Sequence, residues 1–256
     1  MKRKLFTLFL LVCSLYSFGQ FKSASFMMNG YSLSYQVMFP ENYDSTKQYP
    51  LIVFLHGAGE RGDDNNKQLT HGKQFLIDNF QSQYPAIVIA PQCPSDSYWA
   101  NVSRHQIGDK MEFRFGLNDV ATGPMQTLES LVQDWLSSGK VDLSRVYVGG
   151  LSMGGMGTFE LVWRMPQVFA AAFPICGGAD LNKLPLYAKN TALWIFHGDE
   201  DSVVPVDYSR TIYSRLKELG CDVEYTEYKG VNHGSWVNAF EEKDLAPWLF
   251  KHKRDN

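Results

Sequence analysis

One pentapeptide limits the fold more than any other part of the chain: Gly150-Leu151-Ser152-Met153-Gly154. The residues before it, Arg145-Val146-Tyr147-Val148-Gly149, are short, β-branched and aromatic, the composition of a buried strand. Residues 155–164 after it read as a helix, with Pro166 just beyond as a stop. Strand, sharp turn and helix in that order put Ser152 on a strained elbow. Glycines at 150 and 154 give the close backbone approach that the turn needs. The hydroxyl then leaves the sheet edge beside a helix N-terminus, where developing negative charge is favoured. Taken alone, G-x-S-x-G is a weak signal, because glycine and serine are common in loops; its flanks give it a mechanical meaning.

The rest of the chain supplies the frame. Residues 31–39, 51–55, 86–90, 146–149, 170–175, 192–196 and 223–228 read as strands. Residues 118–138, 205–219 and 236–250 read as helices. Their alternation predicts an α/β fold: a mostly parallel, doubly wound sheet with helices on both faces. The continuous apolar run Leu51-Ile52-Val53-Phe54-Leu55 suits a central parallel strand. Several strands end in glycine-rich turns, where open α/β sheets place their sites. Residues 94–124 are the least regular part and carry Tyr98, Trp99, Phe113 and Phe115 among polar residues. An insert of this kind serves as a lid or substrate wall, or packs as a surface loop. The sequence leaves both open.

A serine hydroxyl is a poor nucleophile at neutral pH and needs a base. On an elbow of this type the chain order is serine, then acid, then histidine. Three histidines follow Ser152: His197, His233 and His252. His197 precedes the acidic cluster and His252 lies in the charged tail. His233 sits in a turn between the last strand and the last helix, where the base belongs. Asp199, Glu200 and Asp201 are the candidate acids. Asp201 is favoured because it precedes the next helix, clear of the Gly198 turn, which Asp199 is expected to cap. Acyl transfer also needs donors for an oxyanion. The amide of Met153 supplies one and the amide of Ala58, in His56-Gly57-Ala58-Gly59, the other. Glu60 and Arg61 next to that loop are expected to order it as an ion pair, the alternative being that Arg61 meets a substrate carboxylate. Trp99 and Trp236 are the candidate substrate-binding residues, although a ring at 236 is more typical of the core of the last helix. Tyr98 and Trp99 offer rings that could stack on a sugar or a phenol.

At 256 residues and 45% apolar content, the chain can bury a sizeable core. Lys2-Arg3-Lys4, the apolar stretch 5–15 and small residues at 17 and 19 predict a secretory signal peptide, residues 1–19, ahead of one catalytic domain, residues 20–256. Cleavage removes three positive and no negative charges, so the net charge moves from −3 to about −6. No basic patch stands out, which excludes nucleic acid as the expected partner. The apolar stretch is too short to span a bilayer comfortably, so stable membrane insertion is not expected. Cys93, Cys176 and Cys221 would remain, enough for one disulfide and one free thiol, with the pair undetermined. No C-x-x-C or H-E-x-x-H occurs, so neither metal nor organic cofactor is expected.

Taken together, residues 55–65 (LHGAGERGDDN), 68–72 (QLTHG), 90–94 (APQCP), 150–155 (GLSMGG) and 197–205 (HGDEDSVVP) resemble the α/β-hydrolase superfamily. The closer resemblance is to secreted esterases and peptidases of the prolyl-oligopeptidase-like and polyhydroxybutyrate-depolymerase-like group. It implies a Ser152–His233–Asp201 triad, Asp201 matching that group's acid. The expected activity is a serine hydrolase of carboxylic esters, acting on a small-molecule or oligosaccharide ester, feruloyl and acetyl esters included. A peptidase with the same triad is the alternative, and a non-catalytic binding protein on the same scaffold a more distant one. The leader places the protein in the periplasm or outside the cell.

Overall fold

The computed structural model describes residues 21–28, 30–108 and 110–254. The leader read over residues 1–19 lies outside them. Among the described residues ten strands form: β1 (Lys22–Met28), β2 (Tyr31–Met38), β3 (Tyr49–Leu55), β4 (Ile87–Pro91), β5 (Val102–Ile107), β6 (Lys110–Phe115), β7 (Val141–Leu151), β8 (Ala171–Ile175), β9 (Ala192–Gly198) and β10 (Val223–Tyr228). The α-helices are α1 (Lys73–Asp78), α2 (Gly123–Ser137), α3 (Met153–Arg164), α4 (Asp207–Glu218), α5 (Trp236–Glu241) and α6 (Leu245–Lys251).

Eight strands make one sheet in the order β1-β2-β4-β3-β7-β8-β9-β10. From β4 to β10 all neighbours run parallel; β1 and β2 join antiparallel at one edge. The apolar run in β3 is explained by two covered faces. Leu51, Val53 and Leu55 enter one core with Leu128 of α2, Phe159 of α3 and Ile212 of α4. Ile52 and Phe54 enter the other with Phe75 of α1 and Leu249 of α6.

Strand β1 and helix α1 were not expected from the sequence, and three further elements differ from it. The helix expected from residue 118 starts at Gly123, because Thr122 caps it (Oγ1 accepts from Met125 N, 3.2 Å) and Pro124 fits only a first turn. The helix expected over 236–250 is two, α5 and α6. Pro247 cannot sit in a helix interior, so the chain breaks at Glu242 and restarts with Pro247 in the first turn of α6. Within 94–124 lies an antiparallel hairpin, β5–β6. Tyr208 of α4 clamps it: its hydroxyl accepts from Phe113 N (3.0 Å) and donates to Phe113 O (2.9 Å).

Candidate active site

β7 runs into α3 through Ser152 with no spare residue. Ser152 has φ 53° and ψ −115°, a backbone state that costs an L residue of the order of 1–3 kcal/mol and persists only where surroundings impose it. Here the glycines impose it. A Cβ on Gly154 would lie 1.9 Å from the Leu55 carbonyl oxygen, and one on Gly150 2.4 Å from the same atom. Helix α3 is thus pressed against the end of β3. The Ser152 amide donates to Ile175 O at 2.9 Å, which ties the elbow to β8.

Three side chains from three loops meet at that elbow. Ser152 Oγ donates to His233 Nε2 at 2.9 Å, and His233 Nδ1–H donates to Asp201 Oδ2 at 2.8 Å. The Asp201 side chain is fully buried, that of His233 19% exposed, so the chain runs from dry interior to an accessible edge. Asp201 Oδ1 accepts from the amides of Val203 and Val204, both at 2.8 Å. Burial alone would raise its pKa. Hydrogen bonds from His197 and His233, then the Val204 amide, hold the carboxyl well below the usual carboxylate range.

His197 is the supporting residue that chain order set aside. It is fully buried, with Nε2 3.2 Å from Asp201 Oδ2 and 2.9 Å from Val204 O. Its Nδ1 faces Ser209 Oγ at 2.7 Å, the hydroxyl donating when Nε2 carries the proton. The H-x-x-x-D spacing was the available signal. Asp199 does not cap its own turn: its Oδ1 accepts from Gly230 N at 2.6 Å, joining the acid loop to the loop that carries His233.

Ala58 opens a short 3-10 turn and Met153 is the first residue of α3, so neither amide has a partner within its own helical turn. The Ala58 loop is pinned by His56. Its Nε2 accepts from Cys93 N at 2.9 Å and its Nδ1–H donates to Gly57 O at 2.6 Å. This pairing suits only the neutral ring, and burial lowers the pKa from 6.5 to about 4. The folded chain therefore resists a proton that the unfolded chain accepts. Stability contributed by His56 is complete above pH 6.5 and lost as pH falls towards 4, of the order of 3 kcal/mol. Urea unfolding across that range should show a smaller pH slope in His56→Gln than in the wild-type chain; equal slopes would assign the effect elsewhere.

Two expectations are corrected. Trp99 is not a substrate platform: it is 0% exposed, its Nε1 donates to His56 O at 3.3 Å, and its ring meets His56 edge-on. The aromatic near the His56–Gly59 loop is here the floor beneath it. Glu60 and Arg61 do not pair. Glu60 Oε1 lies 3.6 Å from His71 Nε2, while Arg61 donates to Ala58 O (Nε, 2.8 Å) and Ser97 O (Nη1, 3.0 Å). Trp236 is half-buried at the site, its ring perpendicular to His233 with centroids 5.4 Å apart, and its other neighbour is His71 at 5.1 Å. Cys93, Cys176 and Cys221 are all free and buried, so no disulfide forms among them. The one metal-type grouping among the described residues is Cys176, Asp201 and His233, with ligand atoms within 4.8 Å. Its Asp201 and His233 already hold each other, and burial pushes the Cys176 thiol far up, so it stays protonated.

The sequence pattern of the phospholipase/carboxylesterase family matches residues 42–244. The chain belongs to that family of α/β-hydrolases. It is 29% identical over 224 residues to acyl-protein thioesterase 1 of Emericella nidulans, covering 79% of this chain and 90% of that protein. It is 24% identical over 208 residues to lysophospholipase-like protein 1 of Mus musculus, covering 77% and 84%. Among solved structures, a thermostable esterase superposes with a TM-score of 0.77 at 33% identity. That match covers 91% of this chain and 63% of that one, so the chain spans under two thirds of the esterase's length. As an α/β-hydrolase related to carboxylesterases and acyl-protein thioesterases, the protein is a hydrolase of the serine type, with ester-class small molecules as implied substrates.

Proposed function

We propose that the protein hydrolyses carboxylic esters through an acyl-enzyme on Ser152. The observation that carries this reading is the continuous Ser152–His233–Asp201 hydrogen-bond chain on a strained elbow. Ser152 Oγ attacks the ester carbonyl carbon as its proton passes to His233 Nε2. The carbonyl oxygen becomes an oxyanion facing the amides of Met153 and Ala58. Collapse breaks the bond to the alcohol oxygen, which leaves with the proton from Nε2. A water then gives its proton to Nε2 and attacks the acyl carbon, and Ser152 departs reprotonated with release of the acid. Asp201 fixes the His233 tautomer throughout and steadies its cation. Trp236, against the base, forms part of the substrate wall.

A simple acyl ester fits this reading best. Acetyl or feruloyl esters of sugars are a narrower form of it, and with Trp99 in the core only Tyr98 remains of the two stacking rings read for them. Export with cleavage after Gly19 belongs to the same proposal, and the N-terminal sequence of protein from the native host tests it. Stopped-flow hydrolysis of 4-nitrophenyl acetate and butyrate is expected to show a burst of one nitrophenolate per chain, with an acylated protein in the intact mass. Steady turnover with neither burst nor adduct is compatible only with fast deacylation, and a phosphonate ester that fails to label Ser152 then sinks the proposal. Absence of any turnover together with failure to label sinks it as well.

A further inference from the structure

Eight arginines lie among the described residues, and five of them pair with carboxylates: Arg114, Arg145, Arg164, Arg210 and Arg215. Of the three without an ion-pair partner among the described residues, two converge on one ring. Arg61 lies 5.5 Å from the Tyr98 centroid and Arg104 lies 4.3 Å from it. In an acidic chain that pairs five of its eight described arginines with carboxylates, two arginines without such partners at one ring make a local concentration of positive charge.

Both arginines are placed by the fold rather than by chance. Arg61 spends two donors on the carbonyls of Ala58 and Ser97, which orients its remaining N–H groups beside the loop whose Ala58 amide faces the reacting carbonyl. Arg104 stands directly opposite Phe113 in the β5–β6 pair, so the two share a face of the ribbon. Phe113 is buried against Met156 and Val204, so that face is the inner one. Arg104 is itself exposed at the edge of that face, and its guanidinium lies over the Tyr98 ring, a geometry that leaves the in-plane donors for a ligand.

We infer that Tyr98, Arg61 and Arg104 form an anion-recognising rim, and that the preferred esters carry a carboxylate on the acyl or the alcohol part. This rests on the esterase reading above and deepens it. A planar fork of N–H donors matches a carboxylate, and a rim of one half-buried and one exposed arginine contributes through KM far more than through kcat.

The test uses two substrate pairs and the full chain. The mono-4-nitrophenyl ester of glutaric acid against 4-nitrophenyl valerate probes the acyl side. 4-Acetoxybenzoate against phenyl acetate probes the alcohol side. In R104Q the anionic-to-neutral ratio of kcat/KM is expected to fall about fivefold for one pair, carried by KM, and in R104E about tenfold or more. The pair that responds identifies the side of the ester. Ratios that stay at the wild-type value in R104E for both pairs overturn the inference and leave the esterase reading standing. Equal losses on charged and neutral esters also overturn it, since they mark a structural role for the hairpin. A wild-type chain silent on all four esters removes the esterase reading, and this inference with it.

Discussion

Replacing Ser152 with alanine is expected to lower kcat by about four to six orders of magnitude, with substrate affinity largely retained. The size follows from geometry. His233 Nε2 sits 2.9 Å from the hydroxyl oxygen and has no other proton to take in the first step, so the covalent route is lost entirely. What survives is the field of the Ala58 and Met153 amides acting on a bound ester. Alanine also keeps the strain, because φ 53° is as awkward for it as for serine. Ser152→Gly relieves it and is expected to unfold later than Ser152→Ala, by about 1 kcal/mol, while being equally inactive. Burst amplitude and urea midpoints of the three chains check both statements. An alanine variant retaining a hundredth of the activity would remove Ser152 from the chemistry.

Asp201→Asn is expected to cost about four orders of magnitude in kcat with little change in KM. The direction of the new amide is dictated by its surroundings. Oδ1 faces two backbone amides, Val203 and Val204, which can only donate, so the asparagine oxygen must occupy that side. Its NH2 then faces His233 Nδ1, which is obliged to accept. The proton moves to Nε2, and the imidazole that should receive the serine proton presents one instead. The same NH2 faces His197 Nε2 at the 3.2 Å contact, so the buried histidine loses an acceptor as well. Acid stability provides a second readout. The wild-type carboxyl is held below the unfolded value, so its stabilisation is present above about pH 4 and fades as pH falls further; the asparagine chain lacks that contribution at every pH. Steady-state kinetics at neutral pH decide the first point. A loss below tenfold would mean that another acid orients His233.

Ser152, His233 and Asp201 were legible as a candidate set because each is punctuated. Gly150 and Gly154 frame the serine, Gly230 and Gly234 frame the His233 turn, and Pro205 closes the acid loop, so spacing and order were enough to single them out. The structure joins those three side chains in one hydrogen-bond chain through His233, with contacts of 2.9 and 2.8 Å. The environment of these residues was not legible, because it depends on contacts between distant segments. Trp99 reads as an exposed ring in a polar stretch, yet it fills the space under His56, 43 residues earlier. Arg61 reads as the partner of its acidic neighbour, yet Glu60 turns to His71 and leaves it to the carbonyls. The β5–β6 hairpin escaped notice because Arg104 and Gln106 interrupt the apolar side of its alternation. Strand β1 escaped because it lies at the sheet edge, where small and polar residues serve as well as apolar ones.

The three thiols of the described chain have a consequence for handling and for biology alike. Cys93, Cys176 and Cys221 are sealed inside, and burial pushes the Cys93 and Cys221 thiols up to about 12. Only the thiolate reacts with alkylating reagents, so these three thiols are protected in the fold and react when it opens. Thiol labelling is therefore a clock for opening that needs no denaturant. Because no crosslink joins these cysteines, the described fold assembles without oxidising any of the three.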